Sequence, residues 1–512
     1  MNKKFLYTVF TLLLIGLGSC KKSYLDTNPS DQIKSDRVFD NINNVRVNLN
    51  GIYRMLYMQY SNQEEDGQAS MMIVFDFLGE DIVHTATGTS YFRGSYRWAD
   101  HRAEGNALPL FSYRMYYRIL ANVNMLLSGL DRVPDVSQVE LNTVKGELLS
   151  LRAFSHFMLV QLFGKRYNLN DVGLPDNKEG EFPNLGAPLM TFYSEQPQPR
   201  ASVDDMYASI NKDLDEAILL LAGAPARGIY RTHIDKSVAH GLKARVALTQ
   251  WNWDLAITNA KEARKGYTLM SNAAYLDGFT DMKNAEWMWG AHQLTEQLPT
   301  YGSFYAYMSS NFNSAHTRPN PKLINVLLYN SLTVTDVRRK LFCDDVNDFV
   351  NFPGVVNAST GQPEPQQVRR RLMHKKFVVA DPAVSGGDIP FMRAAEMYLI
   401  EAEALAMKGL KQEALDVIKV LAMNRDPNLD PATIDVDDIA TYIDIQRRIE
   451  LWGEGFRFLD LKRKNQALDR TGTGATTELG QYLERSAGGI WWQFKIPRRE
   501  IQANPFINVN NP

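Results

Sequence analysis

Residues 401–420 read EAEALAMKGLKQEALDVIKV and residues 243–262 read KARVALTQWNWDLAITNAKE. Set against each other, Ala244, Leu248 and Ala256 fall on Ala402, Ala406 and Ala414. In each stretch apolar residues recur every three or four positions, stop at a turn (Trp251-Asn252 in one, Gly409 in the other) and resume. The pattern predicts helix, short turn, helix, with two alanines twelve residues apart whose small side chains let the paired helices approach closely.

That spacing is the one tetratricopeptide repeats use. Working outward, the same periodicity marks amphipathic helices over Val38–Met58, Leu110–Leu130, Val139–Phe163 and Val203–Leu221. Ser202 with Asp205 three residues on is a capping-box start for the last of these. Val144–Phe163 and Ser202–Leu221 read as a further pair, and Ile439–Gly453 with Phe456–Lys464 as another. The expected fold is therefore mainly α: about four tetratricopeptide-like helix pairs with long loop-rich insertions and minor β. The insertions are placed near 61–107, 165–201 and 266–390, where Gly, Pro, Asn and aromatic residues accumulate.

The N-terminus reads differently. Lys3 and Lys4, an apolar run from Phe5 to Leu17, and Leu17-Gly18-Ser19-Cys20 form a signal peptide over 1–19 with a lipoprotein cleavage site. Cys20 is the expected lipidation site, residues 20–36 a polar tether, and 37–512 a single folded domain. The only other cysteine is Cys343, so no disulfide is expected once Cys20 is lipidated. The formal net charge of −2 argues against a nucleic-acid partner.

Motifs for catalysis are scarce. The chain has no His-Glu-x-x-His, phosphate-binding loop, Gly-x-Ser-x-Gly or complete Gly-x-Gly-x-x-Gly, and its eight histidines show no paired metal spacing. No catalytic residue, metal or cofactor is expected. The mixed charges Arg447, Arg448, Glu450, Glu454, Arg457, Asp460 and Arg463 read as ion pairs locking a helix corner.

Aromatic residues carry the stronger signal, because sugar rings stack apolar C–H faces on Trp and Tyr while their hydroxyls need polar partners nearby. Residues 61–107 supply Tyr91, Arg93, Tyr96 and Trp98, with Arg97, Asp100 and Asn106. Residues 266–338 supply Trp289, Tyr301, Tyr305 and Asn311, with Trp287, Phe304, Tyr307 and Asn313. The first-named eight are the candidate ligand-binding residues. Arg93, Arg97 and Arg102 leave peptide capture open, and the many carboxylates leave a surface glycosidase open.

Several short motifs in order resemble the SusD/RagB family of Bacteroidetes outer-membrane lipoproteins, over nearly the whole chain. They are Tyr24-Leu25-Asp26 with Pro29, Leu49-Asn50-Gly51-Ile52-Tyr53, Tyr116-Tyr117-Arg118-Ile119, and Leu151-Arg152-Ala153-Phe154-Ser155-His156-Phe157. Arg393-Ala394-Ala395-Glu396, Glu454-Gly455-Phe456-Arg457 with Asp460-Leu461, and Ile496-Pro497 follow. The resemblance implies a surface-exposed, lipid-anchored protein of the outer membrane that binds an oligosaccharide, or a peptide in RagB-like members. It also implies a partner, a SusC-type TonB-dependent transporter. The closing Asn508-Val509-Asn510-Asn511-Pro512 departs from members that carry glutamine there.

Overall fold

The computed structural model describes residues 37–85, 91–167, 184–299, 301–316, 319–348, 352 and 369–512. The signal peptide, Cys20 and the tether lie outside the described residues, as does 168–183 of the second insertion. The chain opens with α1 (Ile42–Met55) and α2 (Gly67–Phe77), followed by the long helices α3 (Ala107–Gly129) and α4 (Gln138–Phe163). Helix α4 pairs with α5 (Val203–Leu220), α6 (Lys236–Thr249) with α7 (Trp253–Ala263), and α8 (Ala394–Met407) with α9 (Lys411–Arg425). Helices α10 (Ile439–Glu450) and α11 (Arg457–Lys464) close the array.

The local signals act as the sequence implies. Ser202 Oγ accepts from the Asp205 N–H at 3.0 Å and donates to its carboxylate at 2.6 Å, satisfying a free donor at the start of α5. Ala244, Ala256, Ala402 and Ala414 are all fully buried, where any larger side chain would push the paired helices apart. The two turns take left-handed backbone, at Trp251 and at Gly409.

Strand is confined to four two-stranded antiparallel pairs among the described residues. Two matter for function: β1 (Ile82–Val83) with β3 (Leu323–Ile324), and β2 (Trp287–Ala291) with β4 (Ile389–Arg393). They tie the insertions onto the helical array.

One expectation is corrected. The stretch 61–107 reads as loop-rich in the sequence, yet Gly67–Phe77 is a helix whose eleven residues are all buried. A helix covered on every side has no polar face, so it carries no 3.6-residue alternation to read.

Four buried histidines, His84, His101, His156 and His374, are driven by burial down to about 3. They are neutral in the fold, so the stability they confer is complete above their ordinary value near 6.5 and lost as the pH falls toward 3. Asp66 and Asp76, raised by burial to about 8 and about 7, act oppositely: their contribution is lost as the pH rises through those values. The histidine contribution is lost from about pH 6.5 downward, so unfolding stability should fall as the pH is lowered from about 6 to about 4. Urea titrations at the two pH values check this, and an unchanged midpoint would contradict it.

Candidate functional site

Residues 59–66 turn sharply between α1 and α2 and cluster polar side chains, Ser61 exposed, Asn62 to Glu64 half-buried, Glu65 and Asp66 buried. Glu65 accepts from Ser61 N and Asn62 Nδ2, both at 2.8 Å, and pairs with Arg114 on α3 at 3.3 Å. Glu64 accepts from the Phe92 N–H. With Ser95, Asp100 and Asn106, the residues Asn62, Glu64 and Glu65 form the polar part of the lining of a cleft of about 290 Å³. Asn106 donates to Asp100 at 3.2 Å. Burial, and behind it the charges of Asp100 and Glu65, push the Glu64 carboxyl up against the pull of the Phe92 N–H. Burial raises Asp100 too.

An aromatic ridge rises beside this cleft. The Tyr91 ring meets Tyr307 edge-on at 5.2 Å and His316 at 5.0 Å, and Phe92 meets Tyr307 at 5.0 Å. Tyr307 donates its hydroxyl to Gln63 O at 3.3 Å, and Gly302 packs on Gln59 and Gln63. Segment 59–66 is thus bordered by Tyr91 through Tyr307 and by Tyr301 through Gly302. Tyr91 is 38% exposed and Tyr301 56%. Among the exposed aromatic residues, these two flank segment 59–66.

The other sequence candidates do different work. Tyr96 and Trp98, 0% and 1% exposed, are core residues, not ligand platforms. The Arg470 guanidinium covers Tyr96 at 4.0 Å; Trp98 donates to Leu78 O at 3.0 Å and packs against Trp492 at 4.9 Å. Trp289 and Tyr305 are buried as completely. Trp289 donates to Thr232 O between Phe154 and Phe391, and Tyr305 donates to Asp388 O. Asn311 clips a neighbouring segment, its side chain exchanging hydrogen bonds with Val379 N and O at 2.9 and 2.8 Å. Arg93 opens a short helical turn beside the ridge, half buried. Arg97 and Arg102, two of the three arginines that leave peptide capture open, donate to the backbone carbonyls of Leu479, Glu478 and Gln493.

Asn62, Glu64, Glu65 and His316 are not singled out for binding by the sequence. The run Asn62-Gln63-Glu64-Glu65-Asp66 within an insertion is the available signal; His316 offers none, because the Tyr91 ring it touches lies far away in sequence.

Comparison with known proteins fits this architecture. Residues 23–248 match a SusD-like family model described as starch-binding and associating with the outer membrane, and residues 336–512 match the SusD family model. A SusD-like protein, P38, of Formosa agariphila is 28% identical over 156 residues, a match spanning 28% of this chain and 30% of that protein. A SusD-like carbohydrate-binding protein from Bacteroides vulgatus superposes with a TM-score of 0.74 at 23% identity, covering 91% of this chain and 97% of its own. A SusD superfamily protein from Bacteroides thetaiotaomicron gives 0.74 at 23%, covering 92% and 100%. A laminarin-binding SusD-like protein gives 0.68 at 19%, covering 93% and 100%. With two family models dividing most of the sequence between them, in the order in which the motifs occur, the chain belongs to the SusD family.

Proposed function

We propose that this protein is a surface lipoprotein, anchored in the outer membrane through Cys20 and facing outward, that captures an oligosaccharide and passes it to a SusC-type TonB-dependent transporter. The observation that carries the reading is the exposed Tyr91 ring, which reaches the cleft around Glu64, Asp100 and Asn106 through Tyr307 and Phe92, with exposed Tyr301 next to Gly302, which packs on segment 59–66. Aromatic faces beside fixed hydrogen-bonding groups suit the two-sided chemistry of a sugar. That solved relatives are described as carbohydrate-binding and laminarin-binding supports the same class of ligand. No catalytic step is proposed: Glu64 is engaged by a backbone N–H, and Asp100 by Ser95 and Asn106.

Calorimetric titration of residues 21–512 with oligosaccharides and short peptides, with product analysis of each mixture, tests this. Saturable glycan binding without new products is expected. Tyr91→Ala and Tyr301→Ala should each weaken it by about 1 kcal/mol, the loss of one aromatic contact. Two folded variants with wild-type affinity would remove this face as the site; binding of peptides alone, or turnover, would overturn the function.

A further inference from the structure

Charge is divided across the aromatic ridge. On the cleft side stand Glu64, Glu65 and Asp100. On the other side the chain gathers a buried lysine and three imidazoles. Lys322 is 5% exposed, and its ammonium donates to Asn320 O at 3.2 Å. An ammonium has three donors. Among the described residues no carboxylate pairs with this one, and burial alone draws it down to about 8.

The imidazoles belong to the same corner. The Asn320 side chain donates to His316 O at 2.6 Å, the His374 N–H donates to Lys322 O at 3.2 Å, and Thr85, next to His84, donates to Pro321 O at 2.8 Å. Burial lowers all three rings, and the charge of Lys322 is the next cause for each. Lys322 is the cation of this corner and the rings are neutral; His316 links the corner to the surface, since its ring touches both Tyr91 and Tyr307.

Two other buried lysines have more partners. Lys376 meets Glu454 at 2.6 Å and two backbone carbonyls, and Lys462 meets two backbone carbonyls at 2.6 and 2.8 Å. A buried cation with so few partners costs stability, and its field, weakly screened, reaches the adjacent surface. An anion seated beside His316 would offset that cost.

Resting on the reading of this face as a glycan site, we propose that it selects oligosaccharides bearing an oxyanion, a uronate carboxylate or a sulfate ester, held beside His316 above Lys322 while neutral hydroxyls turn toward Glu64 and Asp100.

The test titrates residues 21–512 with oligogalacturonate, sulfated galactan oligosaccharides and neutral galactan oligosaccharides of equal length. At least one acidic series should bind tenfold or more tightly than the neutral one at low salt, the preference shrinking as ionic strength rises. Whichever acidic series wins identifies the group as carboxylate or sulfate. Lys322→Met should abolish the preference, spare neutral binding and leave the melting temperature unchanged or higher. Should that variant misfold, His316→Glu, a change at a half-exposed position, should abolish the preference as well. Equal affinity for neutral and acidic series, or a preference that survives in either folded variant, overturns the selectivity and leaves glycan capture standing. No binding of any glycan overturns both.

Discussion

Glu450→Ala is expected to destabilise the protein by about 3–5 kcal/mol, the range found when one partner of a buried ion pair is removed. Glu450, the last residue of α10, accepts from Arg425 at 3.0 and 3.2 Å and from Arg393 at 3.1 Å, and lies 3.5 Å from Arg338. Glu286 pairs with Arg393 and Arg425, Glu454 with Arg393 and Lys376, and Asp336 with Arg338. The four cations balance the four anions, and every member is buried. Burial alone would push the Glu450 carboxyl up; Arg425 and Arg393 hold it well below the usual carboxylate range. Deleting it strands a positive charge where water cannot reach. Glu450→Gln keeps part of the hydrogen bonding and should lose less. Urea denaturation of the two variants checks the order, and a loss under about 1 kcal/mol for the alanine would mean that the remaining anions suffice.

Gly455→Ala should cost about 3 kcal/mol or more for a steric reason. Gly455 has a φ of +85°, and a Cβ there would stand 2.5 Å from the Met72 Cα on α2. Left-handed backbone costs a non-glycine residue about 1–2 kcal/mol, and overpacking adds about 1–3 kcal/mol. The overlap is with main chain, which cannot rotate away. It would also disturb Asp76, whose carboxylate accepts from the N–H groups of Gly455, Phe456 and Arg457 at the start of α11. Gly409 is the control: its φ is +78°, but nothing lies within 4 Å of where a methyl group would sit, so Gly409→Ala should show the backbone strain alone. Equal losses in the two variants would exclude the packing argument.

The helix pairs can be read in the sequence because helices such as α5 and α9 keep one wet face and each close approach needs an alanine, both local patterns. The binding face is only half legible. Tyr91 and Tyr301 look no different in sequence from Tyr96 and Tyr305. What separates them is whether a distant segment covers the ring: Arg470 for Tyr96, Phe377 and Asp388 for Tyr305. Trp98 disappears beneath Trp492 in the same way. Lys322 is illegible for the opposite reason. A single lysine reads as a solvated side chain, and it is the pairing of residues 82–83 with 323–324, with the contacts of Thr85 and His374, that draws its segment inward.

The ion-pair cluster also bears on how the molecule comes apart. Stacked helix pairs ordinarily contact only their neighbours, so such arrays can fray from an end, one repeat at a time. Here Glu286 before β2, Arg393 at the start of α8, Arg425 at the end of α9 and Glu450 at the end of α10 meet at one point. Releasing the last helix pair exposes the charges of all the others. The C-terminal half of the array should therefore melt in a single cooperative step, with amide protons from α8 to α10 exchanging together instead of in a gradient toward the terminus.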